Sequence, residues 1–379
     1  MHATRELYRW PFPIFLADGN GAYVRDVDGN GFIDWYLCFG LIVLGHCDHA
    51  VDEAAIAEIR NGFSVGLTRP IQNRLAQLLI DVVPCAEKVY FCVTGSDATT
   101  SAVRLARVYT GRDKIIRWGY HGWHDWCSPK DKGIPQSTLN DTLTFEYNNL
   151  ESLERVFKEH KDQVAGVIMM PLEIELPKPG FLEGVKEVAH RHGALFILDE
   201  MRSGFHMALG GAQEYYGVTP DLATFSKAMS NGYAISAIVG RHEVMDAMNQ
   251  TFVTSAYHTH SMAAAAAVAA IERMKQGDVI PHLWRIGQGL QDGLNQLVSD
   301  TGVEAKAIAV PPMPFLDFFY SNEDRCTKAM HIFYSAATRG GVLLHPRHHW
   351  YSCFAHTDAD LDKTLTVCAD ALAEVRKGV

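Results

Sequence analysis

Short apolar runs alternate with helix-length amphipathic stretches through the middle of this chain. Residues 88–92, 114–117, 165–170, 194–198 and 222–225 are brief and apolar, as buried strands are. Between them, residues 98–110, 150–160 and 181–192 carry a helical period. Such alternation predicts an α/β fold, a mostly parallel sheet with crossover helices. Upstream, 50–60 and 70–83 read as helices, the second stopping before Pro84. Residues 1–20 read as irregular, with Pro11 and Pro13, and 23–25 and 32–35 flank Asp28-Gly29-Asn30-Gly31 as a hairpin. After Ser261 the texture changes. A helix over 261–276 leads out of the large domain, and short strands at 314–319 and 341–344 lie among helices. We expect residues 46–275 to form a large domain, and 1–45 with 276–379 a smaller α+β one.

The length, 379 residues, supports a large buried core divided between domains. The net charge of −10 and the lack of a basic block argue against nucleic acid as a partner. We read no signal peptide and no apolar run able to cross a bilayer; the alanine-rich stretch 262–271 is too short. Eight cysteines without a CxxC pair read as reduced thiols of a cytoplasmic protein. The histidines in HPRHH, 345–349, have no carboxylate or cysteine at ligand spacing, so no metal is expected.

The candidate chemistry sits at strand ends. Asp199 closes the run 194–198, and Lys227 stands just past 222–225. In open α/β sheets ligands bind at the carboxyl ends of strands, so both reach one rim. A pyridoxal phosphate enzyme needs this pair, an acid to keep the pyridine nitrogen protonated and a lysine to form a Schiff base. Lys227, displaced by a substrate amine, would then serve as the general base. Earlier, Gly95-Ser96-Asp97 lies between a strand and a helix, where unpaired amides and the dipole favour a phosphate. The alternative there is a plain helix cap by Ser96 or Asp97. In GYHGWHDW, 119–126, Tyr120 between two glycines is placed to stack on a planar ring; His121 and His124 carry less weight. Each residue alone reads as a cap, a core aromatic or a solvated lysine. Their order along one chain favours the cofactor reading.

With these residues together the chain resembles the class III aminotransferases of the fold-type I pyridoxal phosphate enzymes, nearest the glutamate-1-semialdehyde aminomutase-like branch. The segments that carry it are DVDGNGFIDW, LGHCDHAV, EKVYFCVTGSDATTSAVRLARVYTGRDKII, YHGWHD, GALFILDEMRSGF, FSKAMSNGYAISAIVG and GVLLHPRHHWYSCFAHTDADLDKTL. The resemblance implies a seven-stranded large-domain sheet and a homodimer with shared active sites. It implies Ser96 and Asp97 at the phosphate, Tyr120 on one ring face, Met201 near the other, Asp199 at the ring nitrogen and Lys227 as the Schiff-base lysine; Gly95 and His121 are further expected cofactor contacts. Where the family's partner subunit offers a threonine, this chain has Ala256, with Thr254 and Ser255 as substitutes. Met170-Pro171 replaces a common Glu-Pro, with Glu173 close by.

The stretch between His121 and Tyr147 is shorter than the aminomutase lid. That favours a transaminase passing an amino group from a donor to a keto or aldehyde acceptor through a pyridoxamine form. A 2,1-aminomutase is the alternative, and a non-catalytic binding protein a more distant one. Arg69 and Arg347 are candidates for a substrate carboxylate, and Arg202 reads as structural. Trp10, Trp123, Trp126, Tyr257 and Trp350 are candidates for an aromatic pocket. The donor and acceptor stay open, a β-amino acid, an amino sugar or a specialised metabolite among them.

Overall fold

The computed structural model describes residues 13–258 and 260–379. Trp10 and Pro11 therefore lie outside the described residues. Two compact units form, one from the residues up to His49 with Gln276–Val379, the other from Ala50–Lys275.

In the first unit, β1 (Leu16–Asn20), β2 (Tyr23–Asp26) and β3 (Gly31–Asp34) run antiparallel. Later strands of the unit are β11 (Ala305–Ile308), β12 (Phe315–Phe318) and β13 (Val342–Leu343), and β13 joins β3 in parallel. Helices Val279–Thr301, Glu323–Arg339 and Asp358–Gly378 bury Leu290, Phe333 and Leu372 with Trp35 and Trp350.

The second unit holds a seven-stranded sheet. Its strands are β4 (Lys88–Cys92), β5 (Lys114–Trp118), β6 (Thr142–Thr144), β7 (Val164–Met169), β8 (Leu195–Asp199), β9 (Leu222–Phe225) and β10 (Ser236–Gly240). The order is β4-β10-β9-β8-β7-β5-β6, with only β10 antiparallel. Every residue of β7, β8 and β9 is buried, as expected of strands covered by helices on both faces. β6 and β10 were not legible as strands. One is a three-residue edge, the other a five-residue run inside a Gly- and Ser-rich stretch.

The register aligns the rim. Asp199 pairs with Thr224 across β8 and β9, and Trp118 with Met169 across β5 and β7. Phe225 and Phe91 both pair with Ala237 of β10, so the end of β4 reaches the same level. The loops after β4, β5, β8 and β9 thus all leave from one edge.

Candidate active site

The helix Gly95–Thr110 begins three residues earlier than the apolar period indicates. Its cap is Thr94, not Ser96 or Asp97. Thr94 Oγ1 accepts from the Asp97 amide at 3.2 Å, and Asp97 Oδ2 accepts from the Thr94 amide and hydroxyl at 2.8 Å each. Asp97 is therefore committed to the cap. Among the described residues the amides of Gly95 and Ser96 have no partner, so the turn keeps two free donors. A Cβ on Gly95 would meet Met201 Sδ at 3.0 Å, and one on Gly122 would lie 2.3 Å from Ser96 Oγ. The loop after β5 is thus pressed against this turn. Thr99 Oγ1 donates to the His121 carbonyl at 2.7 Å and fixes that approach, while Tyr120 stays half exposed.

Asp199, the last residue of β8, is 1% exposed. Its Oδ2 lies 2.7 Å from His121 Nδ1, and its Oδ1 accepts from the Met201 amide at 3.0 Å and the Thr224 hydroxyl at 3.5 Å. His121 Nε2 reaches the Trp118 carbonyl at 3.0 Å. Glu200 is also buried, and it accepts from the Ala212 and Gln213 amides at 2.8 and 2.9 Å and from the Ser203 hydroxyl. Burial raises its carboxyl above the ordinary value. Glu200 fixes the turn after Asp199, and nothing in the periodicity marks it. Lys227 opens a short 3₁₀ turn with φ 52°, a left-handed conformation that L-residues seldom adopt. His206, fully buried, is lowered to about 3 by desolvation first and then by the Lys227 charge.

Residues 7–370 match the aminotransferase class-III family. The chain belongs to the class-III aminotransferases. It is 41% identical over 374 residues to 3-aminobutyryl-CoA aminotransferase of Cloacimonas acidaminovorans (strain Evry), covering 97% of this chain and 90% of that one. It is 32% identical over 396 residues to glutamate-1-semialdehyde 2,1-aminomutase of Syntrophobacter fumaroxidans, covering 96% and 91%. The pyridoxal phosphate form of the FumI protein of Sphingopyxis sp. MTA144 superposes with a TM-score of 0.95 at 29% identity, covering 100% of this chain and 93% of that one.

In this class-III aminotransferase the substrate candidates differ in setting. Arg69 Nη1 is ion-paired to Glu58 at 2.7 Å and reaches Ser261 Oγ at 3.1 Å, so it braces the helix Pro70–Val82. Arg347, in the other unit, is exposed. Arg202 is buried and lies 3.7 Å from Glu173. Trp350 is fully buried in the core of the first unit, so it is not free to wall a substrate pocket, and Trp126 is 6% exposed in the core of the second. Trp123 and Tyr257 are exposed. Thr254 is exposed and Ser255 half-buried, beside Val253, whose carbonyl accepts from Tyr90 Oη at 2.6 Å. Glu87, His242 and Glu243 gather at the surface, but Arg241 already occupies Glu243.

Proposed function

We propose that Lys227, Asp199 and the Gly95–Ser96 turn form the cofactor site of a transaminase acting on amines β to a carboxyl or thioester carbon. The family makes this chain an aminotransferase with pyridoxal phosphate as its cofactor. The donor set suits that group. Two free amides at the start of a 16-residue helix fit a phosphate, and the glycines let the backbone come close. The buried Asp199 carboxylate, held from several sides, fits a protonated ring nitrogen. The bound cofactor supplies an electron sink for the pair left when a proton departs from the amine-bearing carbon.

The observation that carries the reading is the register of β8 and β9. It sets Asp199 against Thr224, three residues before Lys227. Lys227 would hold the cofactor and, once released by a substrate amine, would take and return the proton. Asp199 would keep the ring nitrogen protonated. Tyr120 and Met201, the latter packed on Gly95, would hold the ring from its two faces. Likeness to 3-aminobutyryl-CoA aminotransferase over nearly the whole of both chains supports the β-amine substrate. The same reading makes the enzyme a homodimer. Exposed Phe252 and Tyr257, flanking Thr254 and Ser255, suit a partner surface. Eight free thiols suit the cytoplasm.

The test is the visible spectrum of the purified protein with a panel of 3-aminobutyryl-CoA, 3-aminobutyrate, alanine and glutamate. Bleaching by a β-amine, and recovery with a keto acceptor, is the expected result. Bleaching by α-amines alone removes the substrate reading. Isomerisation of one compound with no acceptor favours the aminomutase that the 32% relatives suggest. Absence of any visible band with added cofactor removes the site.

A further inference from the structure

A cavity of about 530 Å³ opens beside β5 and β6, lined among others by Arg117, Asp125, Trp126, Asp131, Lys132 and Thr142. That volume suits a small molecule. None of Gly95, Ser96, Asp199 and Lys227 lines it, although its Trp126 ring lies nearly parallel to His121, at 5.9 Å between centroids. Arg117 extends from β5, and its Nη1 donates to the Gly119 carbonyl at 3.1 Å. Its Nε is buried and, among the described residues, has no hydrogen-bond partner. A guanidinium with an unsatisfied buried donor needs an oxygen acceptor.

The charges on the wall narrow the choice. Two cations, Arg117 and Lys132, and two anions, Asp125 and Asp131, line the cavity. Among the described residues, no ion pair ties any of the four to another charge. A phosphate dianion would gain from Arg117 and lose to the aspartates. A molecule with one charge of each sign meets a complementary group for each. We propose that this cavity binds a free amino acid, its carboxylate on Arg117 and its ammonium toward Asp125 and Asp131.

The probe is N,N-dimethylglycine. It keeps both charges, but its tertiary amine cannot condense with a carbonyl, so chemistry at Lys227 does not enter. Calorimetric titration of the full, cofactor-loaded protein should show saturable binding, one per chain. Acetate and trimethylammonium should each bind at least about ten-fold more weakly, each lacking one charged contact. Arg117→Gln should weaken dimethylglycine by about ten-fold or more. The exposed pair Asp125→Asn and Asp131→Asn, which decides the matter where Arg117→Gln does not fold, should weaken dimethylglycine and leave acetate unchanged. No saturable binding, binding indifferent to Arg117 and to the aspartates, or acetate binding as tightly as dimethylglycine would each overturn the assignment.

Discussion

His121 joins Asp199 to the backbone of β5: Nδ1 lies 2.7 Å from Asp199 Oδ2, and Nε2 lies 3.0 Å from the Trp118 carbonyl. A carbonyl oxygen only accepts, so Nε2 carries a hydrogen and the second hydrogen lies between Nδ1 and Oδ2. Both nitrogens are engaged inside the protein, so on the proposed site His121 would act on the cofactor only through Asp199. It is a positioning residue.

His121→Phe keeps the ring volume and removes both contacts. A buried carboxylate loses a charge-assisted partner, a loss of about 1.5–3 kcal/mol or roughly 10–100-fold in kcat/KM. On the proposed role of Asp199, at the ring nitrogen and not in substrate binding, the loss should fall on kcat. An unchanged kcat with a raised KM would contradict this role.

Lys227 stands at φ 52°. A non-glycine residue there costs of order 1 kcal/mol, which the fold tolerates where the side chain has a task. Replacing it with alanine keeps the strain, whereas glycine relieves it. Both variants should lose turnover by at least about 10²–10⁴-fold, the general-base share alone. In urea unfolding of the cofactor-free proteins, Lys227→Gly should be the more stable of the two by about 1 kcal/mol. The usual order, with alanine more stable, would show that the backbone here is unstrained.

Much of this was legible in the chain. β4 and β9 run over the bounds their apolar runs indicate, and Asp199 ends β8. What lay hidden depends on pairs far apart in sequence or on backbone angles. The contact of His121 with Asp199 spans 78 residues, and no local pattern encodes it. The helix start at Gly95 was masked because its first turn is polar. Only Thr94 and Asp97 seen together, as reciprocal caps, mark it. The left-handed Lys227 could not be foreseen, since glycine and asparagine are the usual signals for that conformation.

Gly122 and Gly111 offer a matched contrast. Both have positive φ, 117° and 68°, but a Cβ on Gly122 would lie 2.3 Å from Ser96 Oγ, while one on Gly111 meets nothing within 4 Å. Gly122→Ala should push the loop off the phosphate turn and weaken cofactor binding by on the order of ten-fold or more. Gly111→Ala carries only backbone strain, about 1 kcal/mol, and should leave cofactor affinity alone. Equal affinities, measured by fluorescence titration, would separate Ser96 from the phosphate.

Two buried histidines should lower stability in acid. His356 stacks on Trp35 at 4.1 Å and its Nδ1 accepts from the Cys353 amide at 3.0 Å, so it is held neutral. Burial lowers it to about 4, against the pull of Asp34 and Asp360, and His206 is lowered to about 3. Both folded values lie below that of an unfolded histidine, about 6.5. Above that pH neither state binds the proton and the pair has no effect. As pH falls, the unfolded chain takes up protons that the folded one refuses, so stability drops by about 1.4 kcal/mol per pH unit for each histidine. From pH 7 to 5 the two together should remove roughly 4 kcal/mol. His356→Gln takes away one titrating group, so its urea midpoint should fall less steeply than that of the parent over this range, by about half of the two-histidine share. Parallel midpoints for the two proteins would mean that His356 protonates as readily in the fold as out of it.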